Sequence, residues 1–433
     1  MKKIISLIIV CTIIISGMFI YGQSDKKDLL EDNNGPIIAA VIDGKASTTF
    51  PTTNKYTATV ECTRNGIKQD VGAKATWNGT KWVVSFNDIS AGNVRCNAIF
   101  TTRFPTFSET ILANNEVKAP ITTPGAAIST ASEALLASAE DDYGTSYYFR
   151  GAVTNNYVEF ANKCWRIVRV GGDGSVKLIL HNDNPTGAAN PCDAVNNSAS
   201  AAFARYSGET YKSAFNEKTD DNAYLGFMYG AAGATDYAST HANTNKSTIL
   251  TNLETWYNNN ISDYADKIAD TVWCNDKTIV KDTTYNPSSY GGNATGLGFG
   301  INKTWYGAAQ RLLSTSGSAG GTGPSLKCNG ELSKISSKVG LITADELAFA
   351  GYAYGLENST TYLQENATDT YWCSLSPGIF NGSYALVWYI IGSSGDFAHI
   401  YVFYTSGVRP SISLKSTTNV TGNGTSEDPY VVE

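Results

Sequence analysis

FNGSYALVWYIIGSSGDFAHIYVFYTSGVRP, from Phe380 to Pro410, differs from the rest of the chain in composition. Between Tyr384 and Tyr404 seven of 21 residues are aromatic, against 11% for the whole chain. From Ser374 to Leu414 there is no Lys, Glu, Gln or Met. A solvated loop carries charge and turn residues, whereas an ordinary buried strand is rich in Val, Ile and Leu. Tyr and Trp supply large, rigid contact area at low entropic cost, which suits a binding face. The same composition also fits core strands rich in aromatics, so both readings stand at this point.

The segments around this stretch carry secondary-structure signals. Downstream, GVRPSISL and PYVVE read as two short strands around a Gly/Asn turn, with Pro410 confining the first to an edge or a bulge. Upstream, Tyr371-Trp372-Cys373 enters a Ser-Pro turn, with Trp372 as a core anchor. Thr343 to Glu346 is a capping box opening a helix in LITADELAFAGYAYG. Ile249, Leu250, Leu253, Trp256 and Tyr257 recur at helical spacing. YVEFANKCWRIVRV, the turn Gly171 to Gly174 and SVKLILHND form a hairpin. A short helix is expected over Ala131 to Ala139. Short mixed strands around two helices with many loops predict an α+β domain over 131–433.

Residues 36–108 read as a small all-β sandwich acting as a spacer. KYTATVECT alternates, and Asn78-Gly79 joins two Trp-bearing arms, a strong hairpin signal. Cys62 and Cys96 flank this hairpin, which predicts a bridge across the sandwich. Residues 109–130 mix Pro, Thr and Ala without periodicity and read as a linker.

At the N-terminus, Lys2 and Lys3 precede an apolar run over 4–22. Nineteen residues at ~1.5 Å each reach about 28 Å, enough to span a bilayer core. The expectation over 1–24 is a signal anchor, with a cleaved signal peptide as the alternative. Both place the rest of the chain outside the cytosol. There, the seven cysteines other than Cys11 are expected to form structural disulfides, with one left over. No C-x-x-C occurs, and His is limited to His181, His241 and His399. No metal site and no cofactor are therefore expected. A net charge of −7 without basic runs argues against a nucleic-acid partner.

Few residues suggest catalysis. Asp141-Asp142 and Asp220-Asp221 are sequence neighbours that point apart, so they read as solvated turns rather than acid/base dyads. There is no G-x-S-x-G. His241 sits in a polar stretch, and His181 ends a strand at the surface or an edge. His399, inside the aromatic stretch, reads as a binding contact rather than a general base. Cys373 is the expected odd thiol.

In order along the chain stand YYFRGAVTNNYVEFANKCWRIVRVGGDGSVKLIL, GLITADELAFAG, YWCSLSP, GVRPSISL and GTSEDPYVV. Residues 131–433 resemble exported bacterial proteins with a C-type-lectin-like fold, akin to that of formylglycine-generating enzymes. The resemblance implies pairing of Cys164 with Cys192 and of Cys274 with Cys328, leaving Cys373. It also implies ligand contacts from a C-terminal strand–loop–strand region. In one subset, the variable proteins of diversity-generating retroelements, adenine-directed mutagenesis rewrites this region. The positions so implied are Tyr384, Leu386, Tyr389, Ile391, Asp396, Ala398, His399, Ile400, Tyr401, Phe403, Tyr404 and Ser406, with Trp388 and Val402 as framework and Arg409 structural. No EPN, QPD or WND triplet is present, so calcium-mediated sugar binding is not implied. Nor is there a pair of close cysteines like the oxidising site of formylglycine-generating enzymes. The expected protein is a surface-displayed, non-enzymatic binder of an unknown protein or glycan, tethered to the membrane through residues 4–22. The alternatives are a formylglycine-generating type of extracellular enzyme or a purely structural surface protein.

Overall fold

A computed structural model describes residues 36–87, 94–287 and 294–433. The apolar run over 4–22 and Cys11 lie outside the described residues. Among those described, no helix is long and apolar enough to cross a membrane. The chain divides into two compact units, one ending at Pro105 and the other beginning at Thr106.

In the first unit, five strands pair in the order Lys45–Ser47, Ile37–Ile42, Val94–Thr102, Tyr56–Arg64, Ile67–Gln69. Alternation along Val94–Thr102 turns Val94, Cys96, Ala98 and Phe100 inward. A separate hairpin, Lys74–Trp77 with Trp82–Ser85, packs Trp82 and Val84 against Phe100. Its loop is closed by Asn78, whose side-chain oxygen accepts from the Thr80 and Lys81 amides at 3.1 and 2.9 Å. Cys62 and Cys96 are bonded, but not across two layers as expected. They are paired positions on adjacent strands of one sheet, with Cα atoms 4.0 Å apart.

The second unit corrects the sequence reading most. The expected α+β, C-type-lectin-like architecture is overturned, because the structure as a whole is mostly β, with 35% strand and 13% helix. Its main sheet has eight strands. The path runs Ser411–Leu414, Val176–Asn182, Lys163–Val170, Tyr157–Phe160, Tyr430–Val432, Val420–Thr421, and the hairpin Ala134–Asp141 with Gly144–Gly151 joins it beside Lys163–Val170. Ala134–Asp141 takes up most of the segment, Ala131 to Ala139, expected to be helical. Its Ala/Leu content favours a helix, yet all eight residues pair with Gly144–Gly151, and Leu135, Leu136 and Ala137 become buried. Tertiary pairing outweighs a propensity worth only a few tenths of a kcal/mol per residue. Part of the expected linker is also ordered, as the helix Phe107–Asn114 with a Thr106–Glu109 capping box.

Other expectations match what is observed. Thr248–Asn260 is helical and buries Ile249, Leu250, Leu253, Trp256 and Tyr257. Thr343 and Glu346 cap the helix Ala344–Ala350 reciprocally. Pro410 precedes an edge strand, and the Lys163–Val170/Val176–Asn182 hairpin forms around Gly174 at φ 79°. The helices are short, however, and strands carry the core. Trp165, Trp256, Trp273, Trp305, Trp372 and Trp388 are all fully buried. The bridges Cys164–Cys192 and Cys274–Cys328 pin the loops that leave this core. Three disulfides fit a protein that matures outside the reducing cytosol.

Candidate binding surface

The aromatic stretch folds as a hairpin, Ala385–Ile390 with Phe397–Tyr401. It forms the edge of a four-stranded sheet with Trp372–Phe380 and Thr304–Trp305. Its loop needs glycine at Gly395, which has φ 70° and whose added Cβ would fall 2.1 Å from the Asn358 carbonyl. The Ile391 amide donates to Asp396 O at 2.9 Å and the Gly395 amide to Ile391 O at 2.7 Å, closing the turn.

Both strands of the hairpin are largely buried, and burial sorts the twelve implied contact residues. Leu386 and Ile400 are buried, as are His399 and Ser406. These four are therefore corrected: they are interior residues and offer no surface to a ligand. Tyr389, Ile391, Asp396, Ala398 and Tyr401 are half-buried, while Tyr384, Phe403 and Tyr404 are exposed at 44%, 38% and 48%. Trp388 and Val402 are fully buried, as framework residues are.

The twelve do not form one face. Tyr384, Tyr401, Phe403 and Tyr404 gather at one end of the hairpin. Tyr401 and Phe403 lie 5.6 Å apart and within 19° of parallel. Tyr384 and Tyr404 stand at 75° and 76° to Tyr401, with centroids 5.3 and 5.7 Å away. Phe403 also meets Tyr404 at 4.8 Å. Asp396 lies at the opposite end, about 16 Å away along five extended residues. Burial, and then the nearby Glu357, push its carboxyl above the usual range. Tyr389 turns to Tyr371 instead, 5.7 Å away.

One border of the aromatic cluster was invisible in the sequence. Asn216–Thr219 runs beside it, with the Asn216 amide donating to Val402 O at 3.0 Å and the Ala385 amide to Thr219 O at 2.8 Å. This brings exposed Glu217, Lys218 and Asp220 to its rim. No periodicity or motif in 216–220 signals that placement.

His399 sits between the two ends, enclosed by Trp388 at 4.2 Å, Tyr354 at 5.5 Å and Trp305 at 6.0 Å. Neither ring nitrogen has a hydrogen-bond partner, and burial lowers its pKa to about 3. A neutral imidazole in an aromatic box makes neither a surface contact nor a general base at neutral pH. The other histidines are also interior, contrary to the surface positions expected. His181 is buried beside Arg166 and Arg409. His241 ends the helix Tyr237–His241, with Nε2 2.8 Å from Gly298 O. Burial, with Lys277 nearby, lowers its pKa to about 3.

A second concavity is lined by charge. Asp141, expected in a solvated turn, is buried, accepting from Arg169 Nη1 at 3.0 Å and the Gly172 amide at 2.9 Å. Arg169 Nε and Lys177 Nζ share Glu346 Oε1 at 2.9 and 2.7 Å. Arg311 makes a bidentate pair with Asp345, at 2.6 and 2.7 Å, and reaches Asp276 at 2.7 Å. Burial alone would raise the Glu346 carboxyl, but Lys177 and Arg169 outweigh it and hold the pKa at about 2. The Cys274–Cys328 bridge lies on the wall of this cleft. Each carboxylate here is already paired within the protein, so the network locks the main sheet to the helix Ala344–Ala350. Asp221, likewise expected in a solvated turn, is buried and accepts from the Ala223 and Gly233 amides.

Cys373 is buried, 3.3 Å from the Ser406 hydroxyl, and burial pushes its thiol up to about 11. Among the described residues, no group of three or more His, Cys, Asp or Glu is placed to hold a metal ion.

No protein-family model, curated protein or solved structure matches this chain.

Proposed function

We propose that this is an exported binding protein that captures its ligand on the exposed rings at the Tyr384/Tyr401–Tyr404 end of the hairpin. Surface display through the apolar run over 4–22 is part of the same proposal. The observation that carries it is the grouping of Tyr384, Phe403 and Tyr404, each more than a third exposed and each in ring contact with Tyr401. Rings left in water lose the area term that burial would give them, about 25 cal/mol per Å². Clustered exposed aromatics are accordingly a feature of interaction sites.

An extracellular enzyme using thiol chemistry is less well supported. Cys373 is paired with a hydroxyl in the core, and six other cysteines are bridged to one another. A nucleophilic thiolate needs an electropositive, accessible setting. Diversification over all twelve positions is also disfavoured. Changes at Leu386, His399, Ile400 and Ser406 alter core volume, so a variable face is restricted to the other eight.

The test is the triple variant Tyr384→Ser, Phe403→Ser, Tyr404→Ser, compared with the native chain on arrays of glycans and extracellular proteins. Capture is expected to disappear while the thermal midpoint moves by less than about 2 °C, since exposed substitutions cost little. A large fall in the midpoint, or undiminished capture, overturns the proposal.

A further inference from the structure

We infer that the core of the second unit holds a small monovalent anion, chloride in an extracellular medium, against the buried guanidinium of Arg409. This site is separate from the exposed rings and does not depend on what they bind.

Charge is the first observation. Two arginines are buried here around one acid. Arg166 is fully buried and donates from Nη1 to Glu365 Oε2 at 2.7 Å, from Nε to Asn156 Oδ1 at 2.7 Å and from Nη2 to Val153 O at 2.6 Å. All its donors are thereby used, and the acid is taken. Arg409 is 1% exposed and donates from Nε to Leu180 O at 3.0 Å and from Nη1 to Leu363 O at 2.5 Å. Both partners are neutral carbonyls. Burial drives the Arg409 pKa down to about 10, and Glu365 is the last of the influences acting against it. A guanidinium taken out of water without a counter-charge is unfavourable, and an anion beside it removes that cost.

Unpaired donors are the second. Arg409 Nη2 is buried without a hydrogen-bond partner, and so are three groups next to its contacts. Trp372, whose ring lies 4.7 Å below the Arg409 Cζ, leaves Nε1 unpaired. Tyr362, which precedes Leu363, leaves its hydroxyl, and His181, which follows Leu180, leaves Nδ1. Asn366 Nδ2 donates to His181 Nε2 at 3.2 Å and also to His181 O and Asn197 Oδ1, so Nδ1 carries the ring proton. Burial, then Arg166 and Arg409, keep that imidazole neutral. Each of the four groups has a proton to donate. A water molecule accepts two hydrogen bonds and brings no charge, whereas an anion accepts from every side and neutralises the second guanidinium. All four residues are at most 3% exposed, so the ion is enclosed as the chain folds.

The experiment is urea unfolding of the full chain at fixed ionic strength, with sodium chloride replaced stepwise by sodium gluconate. With a Kd of about 10 mM, about 300 mM chloride raises the folding constant roughly thirtyfold over gluconate. A midpoint with no preference for chloride overturns the proposal. Tyr362→Phe removes one donor and keeps both arginines, so it is expected to fold and to weaken the Kd about tenfold. An undiminished chloride response in that variant overturns the site. Crystals of the full chain grown in sodium bromide locate the ion. An anomalous peak within about 3.5 Å of Arg409 Nη2 is expected. Bromide at surface groups alone, or a water molecule against Arg409 Nη2, overturns the assignment.

Discussion

Replacing Glu346 by Gln tests whether the buried ion network holds the large unit together. Gln is nearly isosteric and can still accept from the Thr343 amide, so the capping box survives, while the charge is lost and an NH2 replaces the oxygen that accepts from Arg169 and Lys177. Arg169 retains Asp141 at 3.0 Å, but Lys177 is left buried with the Trp273 ring, 4.8 Å away, in place of its carboxylate. The native carboxyl is held at about 2, against an ordinary value of 4.5. At ~1.36 kcal/mol per unit, that depression corresponds to about 3 kcal/mol, within the range for breaking a buried pair. The folded-state pKa lies below the unfolded one. The contribution is therefore complete above pH 4.5 and is lost as pH falls towards 2. Urea unfolding of the native and Glu346→Gln chains between pH 7 and pH 3 measures it, with the Cys62–Cys96 unit as an internal control. The expected gap is about 3 kcal/mol at pH 7, shrinking to under half near pH 3. An unchanged midpoint at pH 7, or a gap that does not shrink on acidification, would mean that the Glu346 charge does not hold the unit together.

Two further tests probe the interior of the hairpin sheet. His399 is kept neutral by burial with its pKa near 3, so below pH 6.5 the unfolded chain takes up a proton first and stability falls with pH down to about 3. His399→Phe removes two unpaired polar atoms; it should raise stability at pH 7 by about 1 kcal/mol and flatten its pH dependence between 6.5 and 3. An unaltered pH profile in urea unfolding would contradict this. Cys373, with its thiol pushed up to about 11, is expected to resist iodoacetamide at pH 8 in the native chain and to react after unfolding. Peptide mass mapping reads the outcome, and rapid native alkylation would show the site to be open.

Local signals in the sequence carried through wherever the governing interaction is short-ranged. The Thr343–Glu346 box, the Thr248–Asn260 stripe, the Gly171–Gly174 turn and the hairpin at Asn78 each depend on neighbours within a few residues, and each formed. Cysteine arithmetic left an odd thiol, and Cys373 is the free cysteine among the described residues. Long-range pairing decided the rest. Ala134–Asp141 became a strand because Gly144–Gly151 lay ready to pair with it, which helical propensity does not register. Asp141 reads as a turn residue until Arg169 arrives from another strand.

The aromatic stretch divides in the same way. Its sequence alone marked 380–410 as unusual and dense in rings, because composition is a property of the chain itself. Which rings face water was decided by the tertiary structure. Trp388 and His399 are enclosed by Tyr354, Phe397 and Trp305 and Leu386 is buried, while Tyr384, Phe403 and Tyr404 stay exposed. Alternation along a strand assigns residues to two faces, but only the neighbouring layers determine which of those faces is buried.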